Sequence, residues 1–106
     1  MKKIIIGNWK LNLDHLQSIQ LLQKINYSLP KDVEENIEIV LAPSHTSLRS
    51  LQTVIATDNL KMKLSSQDVS MFKEGAYTGE VSSAQLKKLD ISYSIIGHSE
   101  RRTLFN

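Results

Sequence analysis

Short aliphatic runs that alternate with stretches of three-to-four-residue apolar spacing constrain this chain more than any other feature. Ile4-Ile5-Ile6 closes at Gly7, and Ile37-Glu38-Ile39-Val40-Leu41-Ala42 closes at Pro43. A continuous β-branched run such as the first is the pattern of a parallel strand buried on both faces. Between the two runs, Leu16, Ile19, Leu22, Ile25 and Leu29 recur as one helical stripe from Asp14 until Pro30 ends it. Ser44 or Ser47 is the candidate N-cap of a second helix, whose stripe is Leu48, Leu51, Val54 and Ile55. Leu60 to Ser66 predicts a weaker strand, interrupted by Lys61 and Lys63. Ser82 or Ser83 caps a short helix through Leu86 and Leu89, and Tyr93-Ser94-Ile95-Ile96 predicts a fourth strand ending at Gly97.

The order βαβαβαβ with short connections predicts a parallel sheet wound in right-handed crossovers. The strands begin near residues 4, 37, 61 and 93, at intervals of 33, 24 and 32. A barrel of eight strand–helix units uses roughly 250 residues, about 31 per unit, so this chain amounts to about three and a half units. The expectation is one structural unit over 1–106 with no internal boundary. An open doubly wound sheet gives a similar spacing, and periodicity leaves both architectures standing. Four strands cannot close a barrel, so the first and last strands should present unpaired edges and the chain should be marginal, dynamic or self-associating.

Composition narrows the function classes. Thirteen Lys and Arg against 11 Asp and Glu leave a formal charge of +2, too thin a surplus for the dense basic surface that nucleic acid or an acidic membrane recruits. The absence of cysteine excludes disulfides, thiolate metal sites and a cysteine nucleophile, and fits a reducing compartment. No apolar stretch approaches the roughly 20 residues of a membrane helix. The start Met1-Lys2-Lys3 leads directly into a strand-like run too short for a signal peptide, so the expected location is cytoplasmic.

In parallel α/β architectures functional groups gather beyond the carboxyl ends of the strands. That rule selects Gly7-Asn8-Trp9-Lys10 after the first strand and Gly97-His98-Ser99-Glu100-Arg101-Arg102 after the fourth. Parallel strands share a direction, so Lys10 and His98 should lie at one end of the sheet and can converge if it curls. Lys10 offers a positive charge to an anionic substrate or a developing oxyanion; its plain alternative is a solvated surface lysine. Trp9 reads as a packing residue. Gly97 permits an unusual backbone before His98. An imidazole at a helix N-terminus sits in a positive potential that favours the neutral ring; a satisfied structural histidine is the alternative. His15 and His45 read as ordinary surface residues. Glu100 to Arg102 is either a solvated charge run or a set of ion pairs holding the loop. Residues 67–79 lack a clear period yet form a connection long enough that an ordered version is functional rather than idle, the alternative being a floppy surface connector. The glycines at 7, 75, 79 and 97 match neither dinucleotide nor P-loop spacing.

Gly7-Asn8-Trp9-Lys10-Leu11-Asn12 resembles the first-strand motif of triosephosphate isomerases, and Ile95-Ile96-Gly97-His98-Ser99-Glu100-Arg101-Arg102 resembles their fourth-strand signature. Between them, Ser66-Gln67-Asp68-Val69 and Gly75-Ala76-Tyr77-Thr78-Gly79-Glu80-Val81-Ser82 resemble the end of the family's third strand and its third loop. The resemblance implies the N-terminal half of a TIM (β/α)8 barrel, with four parallel strands and three crossover helices. It implies an enzyme of glycolysis and gluconeogenesis that interconverts dihydroxyacetone phosphate and D-glyceraldehyde 3-phosphate with no cofactor or metal. His98 would polarise the substrate carbonyl as a neutral electrophile, Lys10 would neutralise phosphate and enediolate charge, and Asn8 would help bind substrate. Ser99 and Glu100 would support the site. Thr78, at the tip of the third loop, would reach a neighbouring subunit of a homodimer.

The departure from the family pattern is the general base. The family's glutamate follows the sixth strand and its phosphate grip follows strands six to eight, and no carboxylate in 1–106 matches that role. Glu100 is no substitute because it follows the histidine on strand four. A polypeptide of these residues alone is therefore expected to be inactive. Two other classes of function stay open from the residues: a non-catalytic half-barrel that associates with a complementary chain or itself, and an open-sheet anion-binding module using Lys10 and the Gly97-His98-Ser99 turn.

Overall fold

The computed structural model describes residues 2–106. Strands β1 (Lys3–Asn8), β2 (Ile37–Ala42), β3 (Lys63–Ser66) and β4 (Tyr93–Ser94) alternate with helices α1 (His15–Ser28), α2 (His45–Thr57) and α3 (Ser83–Lys88), and α4 (Ser99–Phe105) follows the last strand. A 3-10 turn at Val33–Glu35, not foreseen from periodicity, precedes β2. All strand pairs are parallel, in the order β1-β2-β3-β4. Sequential order means that the chain never reverses its winding across the sheet, as a doubly wound sheet must. The four strands form a curled half-barrel, and the open-sheet alternative falls with that topology.

Side chains alternate across a strand, so the register sorts the sheet into two faces. Ile39, Leu41 and Leu64 face the helices and join Leu22, Leu48, Leu51, Ile55, Met62, Leu86 and Ile91 in one core. The other face carries Ile4, Ile6, Asn8, Glu38, Val40, Ala42, Lys63, Ser65 and Tyr93.

Helix ends follow local chemistry. Asp14 caps α1 in a capping box with Gln17, and Ser82 does the same for α3 with Gln85. Ser44 is the N-cap residue of α2 but makes no side-chain capping bond; its hydroxyl donates to the Lys10 carbonyl instead, at 3.2 Å. Where α1 meets α2, Ser18 and Ser47 are fully buried and share a hydrogen bond of 3.1 Å. Small residues allow that close approach, and the apolar stripe did not point to them.

Several expectations need correction. Ile4, Ile5 and Ile6 are about half exposed, at 50%, 55% and 49%, because β1 pairs only with β2 among the described residues. Leu16 lies on the α1 stripe but is exposed. The third strand begins at Lys63 rather than Leu60, and the fourth ends at Ser94 rather than Ile96. Ile95 still donates its amide to Ser66 O at 3.0 Å, whereas Ile96 is exposed. His45 is not an ordinary surface residue, for its Nε2 is buried without a hydrogen-bond partner.

Candidate functional site

The end of β1 is held by a knot of hydrogen bonds centred on Lys10. Asn8 Oδ1 accepts the Lys10 amide N–H at 2.9 Å, an Asx-type closure that goes with a left-handed backbone at Lys10, φ 56°. The Lys10 carbonyl accepts from Gln67 Nε2 at 2.8 Å and from the Ser44 hydroxyl at 3.2 Å. Gln67 also donates to Ala42 O at 2.9 Å, and Ala42 O receives the Trp9 amide at 3.0 Å. Residues following β1, β2 and β3 thus meet on one loop. Trp9 packs against the core, as expected of a packing residue.

The histidine comes from the other side of the sheet. Gly97 has φ +63° and a Cβ there would meet nothing within 4 Å, so what the position demands is backbone freedom rather than space. The chain turns at this glycine so that His98 becomes the N-cap of α4, with Nδ1 accepting the Glu100 amide N–H at 3.1 Å. With its Nδ1 lone pair engaged, the neutral ring carries its proton on Nε2, which makes that edge a donor.

Glu100 connects the two sides. Its Oε1 and Oε2 each lie 3.3 Å from Lys10 Nζ, and Oε1 is 3.4 Å from His98 Nδ1. The last contact is attractive only for an imidazolium, so the amide is the partner that orients the neutral ring. Lys10, Glu100 and His98 therefore form one cluster, closed across the carboxyl ends of the first and last strands. Arg101 Nε reaches Asp68 Oδ2 at 3.3 Å and its guanidinium lies 5.2 Å from the Phe105 ring centroid. Glu100 and Arg101 thus form ion pairs across the loop, yet both stay exposed, as does Arg102, so the run is solvated as well as paired. A cavity of about 200 Å³ opens beside the turn, lined by Asp68, Gly97, Arg101 and Phe105. A larger one, about 350 Å³, lies at the opposite end of the strands between α2, β3 and β4.

Of the sequence-selected residues, Asn8, Lys10, His98 and Glu100 come together, while Ser99 is exposed as the first residue of α4. Thr78 lies apart and exposed, in a turn closed by the Glu80 amide on Tyr77 O at 3.0 Å. Its loop is pinned by Ser70 N donating to Val81 O at 2.8 Å and by Phe72 stacked on Tyr77 at 3.9 Å. Gln67 and Ser44 are the residues that sequence reasoning missed as organisers of Lys10. Among the described residues no group of three or more His, Asp or Glu could hold a metal ion, and no helix is long and apolar enough to cross a membrane.

A curled four-stranded parallel β/α sheet, with helices on one face and its charged cluster at the carboxyl ends of the strands, has the architecture of half a β/α barrel. The chain belongs to the triosephosphate isomerase family, whose model matches residues 3–106. It is 47% identical over 105 residues to the triosephosphate isomerase of Mycolicibacterium vanbaalenii, covering 99% of this chain and 40% of that protein. It is 48% identical over 105 residues to that of Mycobacterium tuberculosis, with the same coverage of 99% and 40%. The chain thus spans about 40% of the length of the curated relatives it matches.

Proposed function

We propose that the chain is the amino-terminal part of a triosephosphate isomerase, interconverting dihydroxyacetone phosphate and D-glyceraldehyde 3-phosphate in glycolysis and gluconeogenesis, in the cytoplasm and without a cofactor. The observation that carries the reading is the convergence of Lys10 and His98 on Glu100, with Glu100 Oε1 at 3.3 Å from Lys10 Nζ and 3.4 Å from His98 Nδ1. A fixed ammonium beside an imidazole donor suits a reaction in which negative charge develops on a carbonyl oxygen. In this reading His98 Nε2 donates to the substrate carbonyl and Lys10 neutralises phosphate and enediolate charge. Asn8 binds substrate and, through its bond to the Lys10 amide, sets the loop. Ser99 and Glu100 support the site. Thr78 serves a homodimer interface.

Proton abstraction needs a positioned base, and Glu100 is committed to Lys10 and the His98 turn. Losing a positioned base forfeits about a factor of 10² to 10⁴ in rate. Losing remote phosphate contacts removes orienting energy besides. A polypeptide of these 106 residues is therefore proposed to lack useful turnover. Coupled isomerase assay of the purified chain, with its mass verified, tests this. No turnover is expected, and turnover abolished by Lys10→Met would overturn the account of the base.

A second reading is favoured by the half-exposed Ile4, Ile5 and Ile6 on the edge strand: the half-barrel works by association, with a complementary chain or with itself. Restoration of turnover on mixing with a carboxyl-terminal half supports the two-chain form, and failure to form any complex removes it.

A further inference from the structure

At the amino-terminal ends of the strands, opposite the Lys10 cluster, three successive strands each place one polar group on the same face of the sheet. Lys63 Nζ of β3 lies 2.6 Å from Glu38 Oε1 of β2, and the Tyr93 hydroxyl of β4 donates to Glu38 Oε2. Glu38 also has Ile4 as its register partner on β1, and the charge of Lys2 acts on it at longer range. Strand β4 is entered from Ile91, which is buried in the core, and is otherwise held by few bonds. Its ladder comprises the pairs Ser65–Tyr93 and Ser66–Ser94, supplemented by the Ile95 amide on Ser66 O at 3.0 Å and the Ser66–Ser94 hydroxyl bond at 2.7 Å. His98 follows Tyr93 by five residues, so whatever fixes Tyr93 fixes the start of the segment that delivers the imidazole.

We infer that the Glu38–Lys63–Tyr93 cluster is a positioning device for His98, anchoring at one end of the sheet the short strand that presents the ring at the other. The anchor depends on the charge of Glu38, because a neutral carboxyl loses the ion pair with Lys63 and accepts more weakly from the tyrosine hydroxyl. Glu38 and Tyr93 are thus positioning residues, and protonating the carboxylate slackens β4. The inference rests on reading His98 as a site residue, but its effect is a backbone displacement that exists with or without catalysis.

An acid titration of the isotopically labelled chain, followed by amide resonances, tests it. In the unmodified chain the amides of Ile95, Gly97 and His98 should shift together with one midpoint. That midpoint should lie below the ordinary carboxylate range, since the Lys63 ammonium and Tyr93 hydroxyl both favour the charged form of Glu38. Glu38→Gln should abolish the shift at those amides. Tyr93→Phe should move the midpoint upward and shrink the shift. A titration that persists in Glu38→Gln, or one confined to β2 and β3, overturns the inference. So does a shift lost instead in Asp68→Asn or Glu100→Gln, which would assign it to the local ion pairs. Absence of isomerase turnover leaves all these outcomes readable, and their failure leaves the triose phosphate reading standing.

Discussion

At the scale of single residues, Gln67 does more than its position in the sequence announces. One carboxamide joins Lys10 O and Ala42 O at 2.8 and 2.9 Å, and Gln67→Leu strips both carbonyls of a donor. A destabilisation of about 1–3 kcal/mol is expected, read from the denaturant midpoint. Gly97 gives a cleaner case, because a methyl at φ +63° would touch nothing within 4 Å. Gly97→Ala should cost about 1–2 kcal/mol through the left-handed backbone alone, and Gly97→Asn less, in the same measurement. That Lys10 and His98 lie toward one end of the sheet was legible because each follows a parallel strand. Their meeting through Glu100 was not, since a contact across 90 positions leaves no periodic trace, and neither does that of Gln67 across 57. His45 was misread for the converse reason: burial of one ring nitrogen is a property of neighbours, not of its own surroundings in sequence.

At the scale of elements, order and type were legible because helical and strand periods differ so plainly. The lengths were less so. Tyr93-Ser94-Ile95-Ile96 has the composition of a four-residue strand, yet only Tyr93 and Ser94 enter the ladder, since pairing, not composition, decides where a strand stops. The Ile4-Ile5-Ile6 run has the composition of a central strand, and only the absence of a second neighbour among the described residues exposes it. The sheet's internal ion pair gives a prediction with a definite sign. Lys63 and Tyr93 lower the Glu38 pKa, so the pair adds stability above the ordinary carboxylate range and loses it as pH falls through that range toward the lower folded value. Lys63 and Tyr93 are shifted upward chiefly by Glu38, and their part fades only as pH rises beyond their ordinary ranges. Urea midpoints of the unmodified chain and Glu38→Gln should therefore differ at neutral pH and converge in acid.

At the scale of the whole molecule, helices pack on one face of the sheet, and on the other Val40, Ala42 and Ser65 of the inner strands are buried while Ile4 and Ile6 of the edge strand are about half exposed. An edge strand with such side chains is a template for further pairing. Sedimentation should show mass rising with protein concentration, and Ile4→Lys with Ile6→Lys should reduce the rise. A monomer at every concentration would count against association as the fate of this face.

The Lys10–Glu100 contact has a mechanical meaning as well. Backbone ladders tie neighbouring strands, but this pair spans from the first strand to the last, like a string across a bow. Both side chains are about half exposed, at 54% and 48%, and such pairs weaken as salt screens them. Raising the ionic strength is therefore expected to loosen this one tie across the mouth while leaving the backbone ladders intact.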